Sequence, residues 1–531
     1  RGELYKAKGQ ETVAFILNLS DLDISTEDLL SKEGGGWIGL FTTLGQLGGN
    51  FASAAVQFTS IPNTIALLSA YDHKSGRGGG FGDASTVAEV FRALGQFANP
   101  KWHNLEFINE IVNKKEWVKY NLLEDEAKTL QYLTAEGVLQ AAYQTSLVGT
   151  AKDNITDVKA QRAVSAWMGL FGWGEMTMRS TTAMAAYRLY KQRAIASGVN
   201  VADLNDVTST AHKAIMESVT DTVFDSQGEY GMYNRPRLFR GNILSHIFKY
   251  KMFPVSIVQM LRFLPAGAKL KFLAIMFLMA GLKGLPFADN IMDLLDGILQ
   301  KMGIKQASVE RAFAELADDI IPGSSPILMR GVIDALLPGT FSTRASMGNL
   351  IPFTGAFRAG ADEGRELANA LGPVYTFTTG TLEWAALMAD YALLQTPGFK
   401  DKTNTLADVF RASPISAVRA LGDAYVYGAD GSITDQRGRV ISHDVSAGVV
   451  LARAMGFYPS TATRYNDIIR LSRYHDDYIK AIRLRYVNAY ARARNAGDKD
   501  RMRTIRESVD DWNRAAREAN QDDFVIRNFV G

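Results

Sequence analysis

The chain has no cysteine among its 531 residues. Disulfides, thiolate metal sites and cysteine nucleophiles are therefore excluded from it. That absence suits a protein that crosses between redox compartments or must unfold and refold, and it equally suits drift in a reducing cytosol. Net charge is nearly missing too: 58 Lys and Arg stand against 56 Asp and Glu, a formal +2 at pH 7. That argues against bulk nucleic-acid binding through overall charge, while local patches stay open. No run of about 18 to 20 strongly apolar residues occurs, so a standard transmembrane helix is not expected. No signal peptide with a basic start and apolar stretch is seen. The chain opens on Arg1 rather than Met, and the expectation is a processed product or the ordered part of something longer.

Histidine is scarce. His73, His103, His212, His246, His443 and His475 are scattered, with no His-x-x-x-His or His-Glu-x-x-His spacing to set two ligands on one helix face. A metal site is not expected, and no cofactor is called for. The carboxylate clusters Glu124-Asp125-Glu126, Asp318-Asp319 and Asp510-Asp511 are neighbours in sequence. On a helix such neighbours diverge by about 100 degrees. They read as a solvated face or as helix N-terminal charge rather than a glycosidase pair. Ser75 to Gly82 is glycine-rich but lacks the terminal Lys-Ser/Thr of a phosphate loop. With no Gly-x-Ser-x-Gly elbow either, the chain is expected not to be an enzyme.

What is present is helical periodicity. Residues 1–33 read as a helical lead-in ending at Lys32-Glu33-Gly34-Gly35-Gly36. Gly34 to Tyr71 carries no charge, is rich in small residues and is broken by Pro62; it is a candidate to enter a membrane as a hairpin or interfacial segment, or to be helix buried between helices or subunits. From Ala84 to about Val223 the pattern is helical, with N-cap candidates Asp83, Ser85 and Thr86 ahead of Val87, Val90, Phe91 and Leu94. A helix over Ala163–Ala194 is expected to gather Met and aromatic residues on one face, and Ser180 to Ala186 suits helix–helix contact. Prolines 322, 326, 338, 352 and 373 predict short helices joined by turns. Short strands at Ala424–Tyr427 and Arg439–Ile441, around Gly428-Ala429-Asp430-Gly431, predict a small hairpin. Tyr458 to Phe529 reads as two amphipathic helices meeting at Asn495-Ala496-Gly497-Asp498, an αα-hairpin. The fold class expected is all-α: a multi-helix, elongated or multi-subdomain bundle with a C-terminal αα-hairpin and at most a tiny β-hairpin near 424–441. Four domains are expected, at 1–83, 84–232, 233–458 and 459–531.

Three segments are candidates for contact. Between Leu451 and Gly531 there are 16 Lys and Arg against 11 Asp and Glu, a net +5, interleaved with tyrosines. This is the signature of contact with DNA, anionic lipid or an acidic subunit, and also of an exposed helix laced with salt bridges. The basic positions singled out there are Arg464, Arg470, Arg473, Arg483, Arg485, Arg492 and Arg494. The run Tyr233 to Gly241 leads into an amphipathic helix, and adds Arg235, Arg237, Arg240, Lys249 and Lys251. That helix suits a membrane surface or a negatively charged channel, and core packing with capping arginines is equally natural. Phe272 to Leu282 is very apolar but short, bracketed by Lys269, Lys271 and Lys283. Its Phe272, Ile275, Met276, Phe277 and Met279 are candidates for membrane contact or for packing between helices or subunits.

Taken in order, several segments resemble the C-terminal region of the very large phage polyproteins of the PLxRFG-domain family, which belong to the internal virion, or ejection, class. They are Phe51-Ala52-Ser53-Ala54-Ala55 to Ile61-Pro62, and Ala166-Trp167-Met168-Gly169-Leu170-Phe171 with Glu175, Arg179 and Ala185-Ala186-Tyr187-Arg188. Next come Asn234-Arg235-Pro236-Arg237 before Phe248-Lys249, then Leu337-Pro338, Ser342-Thr343-Arg344 and Met347 to Pro352. Last is Arg453 to Ser460, ahead of the Arg-rich hairpin with Trp512-Asn513. The literal signature that labels the family does not occur. The resemblance implies a homo-oligomer in the capsid interior near the portal, which leaves with the genome for the host cell envelope and helps form a conduit for DNA across it. Its implied partners are other internal virion proteins, the portal, genomic double-stranded DNA and the host membrane. The rivals are a capsid-interior scaffold and a non-catalytic helical region of a giant virion enzyme, either an RNA polymerase or a transglycosylase.

Overall fold

A computed structural model describes residues 41–74, 83–141, 158–206, 208–228, 252–301, 309–342, 373–394, 406–434, 440–443, 445–518 and 525–526. The expected segments at 1–33 and 75–82, and the basic run 233–251, lie outside the described residues. The fold is all-α, with two very small antiparallel sheets.

The N-terminal bundle is built from α1 (Phe51–Ala55), α2 (Ile61–Lys74), α3 (Asp83–Phe97), α4 (Leu105–Lys114), α5 (Glu124–Ala135), α6 (Val158–Trp167), α7 (Gly169–Ala196), α8 (Val201–Asn205) and α9 (Thr210–Gln227). Its core joins Ile61, Ile65 and Leu68 of α2 to Val90, Leu130, Met184, Tyr187, Val219 and Val223. The expected single helix over Ala163–Ala194 is two helices, broken at Met168. Nor does its second part bury only one face, because every residue from Thr177 to Tyr190 is buried. The reason is position: α7 is the central rod, packed against α1, α2, α3, α5 and α9. Small residues permit the closeness. A Cβ on Gly174 would lie 2.6 Å from the Ala54 carbonyl oxygen. Hydroxyls tie the rod to its neighbours: Thr182 meets Thr64 at 2.8 Å, and Tyr190 meets Thr222 at 2.6 Å.

A second group holds α10 (Met252–Phe263), α11 (Ala266–Gly284), α12 (Ala288–Lys301), α13 (Val309–Ile320) and α14 (Ser325–Leu336). Four of the five prolines act as expected: Pro322 lies in the turn before α14, Pro326 in its first turn, Pro338 just beyond its end, and Pro373 opens the next helix, while Pro352 lies outside the described residues. Strand β1 (Gly339–Thr340) follows. After α15 (Pro373–Leu394), the third group holds α16 (Leu406–Arg411), α17 (Ser416–Asp430), β2 (Ile433–Thr434), β3 (Val440–Ser442), α18 (Ala447–Ala454) and β4 (Tyr458–Pro459). β1 pairs with β4, Gly339 opposite Pro459, and so joins the second group to the third.

The small hairpin exists but is displaced. Ala424–Tyr427, expected as strand, is helical within α17, and β2 starts only at Ile433. The strand preference of Tyr425, Val426 and Tyr427 yields to helical packing. Ala417, Ala420, Ala424 and Tyr427 recur at helical spacing and are all buried. Gly431, left-handed at φ 60°, ends that helix. The C-terminal αα-hairpin is α19 (Ser460–Asn495) and α20 (Lys499–Glu518), with the turn at the expected Asn495–Asp498 and Gly497 at φ 68°.

Candidate functional site

The apolar run 272–282 lies in α11, which crosses α14 backbone against backbone. Both helices are interrupted at the crossing by a glycine with positive φ, Gly281 at 66° and Gly331 at 83°. A Cβ on Gly281 would lie 2.3 Å from the Arg330 amide nitrogen, and one on Gly331 2.3 Å from the Met279 carbonyl oxygen. No other residue fits there. One stripe of α11, Ala268, Phe272, Met276 and Ala280, is fully buried. Phe272 and Met276 pack on Ala66, Ile257, Met260 and Leu264. Ile275 is half-buried against the N-terminal core, Met279 against Ala55, Ala280 and Phe341, and Phe277 is half-buried. Phe272, Ile275, Met276 and Met279 thus line the packed side of the helix, while Phe277 lies on the other arc, with Leu270 and Leu273. Its outward side carries Leu270, Leu273 and Leu278.

Helix α12 is built inside out. Its outward face is Ile291 (54% exposed), Leu294 (48%), Leu295 (40%) and Ile298 (45%). These positions recur at helical spacing and form one stripe. The inward face carries Asn290 (4%), Asp293 (8%) and Asp296 (4%). Asp296 accepts a hydrogen bond at 2.7 Å from the Val309 backbone at the start of α13. Helix α13 turns Phe313, Leu316 and Ile320 outward, and α14 turns out Ile327, Val332 and Leu336 while burying Arg330 and Asp334. Nearly half of the large exposed hydrophobic side chains among the described residues fall between Leu270 and Leu337.

Ionic and hydrogen-bonded links hold these helices from within. Lys283 of α11 pairs with Glu310 of α13 at 2.7 Å. Asp318 accepts from the Ser325 amide at 2.9 Å, and that bond holds its carboxyl below the usual range. Asp334 accepts from the Phe341 and Ser342 amides at 2.5 and 2.9 Å. Burial pushes its pKa up, against the pull of those bonds and of Arg330. The bend between α11 and α12 is 48°. It is set at Phe287, whose φ of 63° is a strained, left-handed conformation for an aromatic residue.

The basic candidates are spread out. Arg235, Arg237, Arg240, Lys249 and Lys251 lie outside the described residues. Arg470, Arg473 and Arg485 are on α19, with side chains outside the described set. Arg464, Arg483, Arg492 and Arg494 are exposed. Helical rise places Arg464 and Arg494 about 45 Å apart, so α19 offers a line of charge rather than a pocket. Near the turn, Arg506 donates to the Tyr490 hydroxyl at 2.7 Å and covers its ring at 5.3 Å. Arg503 pairs with Glu507 at 3.0 Å and Arg514 with Asp511 at 3.3 Å.

A buried polar network in the bundle escaped the sequence reading. Glu124 of the acidic cluster is exposed, but Glu126 is not solvated. It sits in the first turn of α5, accepts from the Leu123 amide at 3.0 Å and binds Arg188 at 2.7 Å. Arg188 also donates to Glu89 at 2.9 Å and Gln96 at 2.7 Å. Burial opposes its charge, yet the two carboxylates raise its pKa above the ordinary value. Asp125 takes Lys191 and, at 2.7 Å, the Tyr187 hydroxyl. Burial works to raise the pKa of Asp125, but these partners outweigh it and hold it low. Burial, then Asp125, pushes Tyr187 up, so it stays a protonated donor. Arg179 binds Glu175 at 3.2 Å and the Gly228 carbonyl at 2.9 Å. Every charge here is spent on a protein partner, which is the arrangement of a scaffold. The available signal was the spacing of Glu175–Arg179, one helical turn apart. Among the described residues no group of three or more His, Asp or Glu is placed to hold a metal ion. No family model, no curated protein and no solved structure matches this chain.

Proposed function

We propose that this chain is a non-enzymatic ejection protein of a phage virion, packaged as a homo-oligomer near the portal. It leaves with the genome and contributes to a conduit for DNA across the host envelope. The observation that supports this best is the inverted polarity of α11 to α14, which hands continuous apolar faces outward to be covered by another surface. The absence of cysteine fits passage through a narrow portal, because no crosslink resists unfolding. Helical contacts, largely local, re-form quickly afterwards. The ordered motif series supplies the phage setting.

Fractionation of newly infected cells tests the reading. The chain is expected in the envelope fraction within the period of genome entry. Its retention in the emptied capsid would overturn the ejection role in favour of a capsid-interior scaffold.

A further inference from the structure

We propose that α11, α12 and α13 seat directly in a phospholipid bilayer, their outward Leu and Ile side chains in the acyl region. The inference deepens the ejection reading and takes from it only the biological setting. The polarity of α12 carries it. Asn290, Asp293 and Asp296 face the protein, where they are buried, while Ile291, Leu294, Leu295 and Ile298 face out. In water that orientation is backwards; in hydrocarbon it is the required one, since ionisable side chains turn to the protein interior. The outward composition argues against a protein partner. Interface cores are enriched in Tyr, Trp, Phe, Met and Arg, and neither Tyr nor Trp occurs between residues 266 and 320. The outward faces of α11 and α12 are mainly aliphatic: Phe277, half-buried, shares the arc of Leu270 and Leu273, and Phe313 is exposed on α13. By length and composition α11 and α12 together could cross a membrane as a bent pair; Phe51–Ser69 is also long and apolar enough but is mostly buried in the bundle.

Charge decides what kind of lipid binding this is. Between residues 266 and 337, seven Lys and Arg stand against eight Asp and Glu, a net −1. Attraction to anionic headgroups cannot drive the contact, so it depends on apolar burial and is insensitive to salt. A contact made by the basic C-terminal hairpin would behave in the opposite way.

The test is co-flotation of the full chain with phosphatidylcholine vesicles, with and without phosphatidylglycerol, at low and high salt. Binding to the neutral vesicles, unchanged by salt, is expected. Leu294→Asp with Ile298→Asp should weaken it by at least about a hundredfold, because both charges enter the acyl region. Arg492→Gln with Arg494→Gln should leave it unchanged. The cysteine-free chain permits a second measurement should the double Asp variant misfold: Leu295→Cys carrying a polarity-sensitive dye should shift to the blue on neutral vesicles, and Arg503→Cys should not. Binding only to anionic vesicles and only at low salt would overturn the proposal, as would an unshifted dye at position 295. A lipid-free oligomer broken by the double Asp variant, with no vesicle binding, would also overturn it and assign the face to a second copy. Those failures leave the ejection reading standing if the chain still reaches the host envelope.

Discussion

Arg188→Met removes one guanidinium from the centre of the N-terminal bundle and leaves its partners in place. Met fills most of the volume, so packing is nearly preserved and the electrostatic loss is isolated. Glu126 loses its 2.7 Å partner and keeps only the Leu123 amide at 3.0 Å. Glu89 loses a 2.9 Å bond and keeps Arg92 at 3.6 Å, a residue whose side chain is largely in water. Breaking a buried pair from one side costs about 3–5 kcal/mol, because a charge stays behind without compensation. Hydrogen exchange in urea is the suitable assay, since a chain of this length need not unfold in one step. Protection in α3, α5 and α7 should fall together, as these elements meet at the network. Adding Glu126→Gln and Glu89→Gln should recover most of the loss, because the orphaned charges are gone. A loss below about 1 kcal/mol would equal that of an exposed pair and refute the buried-network reasoning. So would a triple variant less stable than the single one.

Burial holds the His103 ring down to about 4. Its stabilising contribution is therefore complete above the unfolded value near 6.5, and it is lost as pH falls from there through 4, by at most about 3 kcal/mol. His103→Gln should flatten that part of a stability-against-pH curve. Asp125, held low by Lys191 and Tyr187, contributes above the ordinary carboxylate pKa and loses its contribution at still lower pH. Its window is thus separable from that of His103 in the same titration. Gly281→Ala places a methyl group 2.3 Å from the α14 backbone at a positive φ. It should cost at least about 2 kcal/mol and open α11 and α14 to exchange before the N-terminal bundle. Asp423 joins α16, α17 and α18 by accepting from Arg411 at 2.8 Å and Arg453 at 2.5 Å. Asp423→Ala takes the shared carboxylate from Arg453 and from Arg411, which keeps Thr434 at 2.9 Å, and should destabilise the third group by about 3 kcal/mol, read by exchange in α17 and α18.

Much of this fold was legible because helices announce themselves locally. The αα-hairpin could be placed from periodicity and one glycine, and the turn at Gly497 stands where its left-handed φ is needed. Proline marked the limits of α14 for an equally local reason. What was not legible depends on position in the whole. Periodicity groups Ile291, Leu294, Leu295 and Ile298 on one stripe but carries no sign, so it does not say whether that stripe faces a core or the outside. The same holds for α7, whose mixed Thr, Arg and Met sequence reads as a surface or a one-sided helix. Only the surrounding helices make Arg179 and Arg188 interior residues. Glu126 is the helix N-terminal charge expected, but its burial and its partner Arg188, 62 residues away, could not be read locally. The αR-compatible stretch at 424–427 went wrong where strand preference and alanine spacing disagreed, and packing chose the spacing.

The two larger groups solve opposite problems with the same materials. In the N-terminal bundle, charges go inward only where each finds a partner, as Arg188 does with Glu89, Glu126 and Gln96. Such networks seldom add net stability over an apolar core of equal volume. Their value is specificity of arrangement, which suits a rod such as α7 that must meet five neighbours in one register. In α11 to α14 the inward polar groups serve the same end. Lys283–Glu310 and Asp296 with the Val309 amide fix helices to one another from within, and Asp334 with the Phe341 amide fixes the end of α14 to the chain after β1. That leaves the aliphatic side chains free to face outward without weakening the group. A helix group held only by apolar contacts would collapse its Leu and Ile stripes inward when exposed to water. One held by internal polar links and a glycine–glycine crossing keeps the stripes presented. The buried Asp residues and the exposed Leu and Ile residues are thus one design, each making the other tenable.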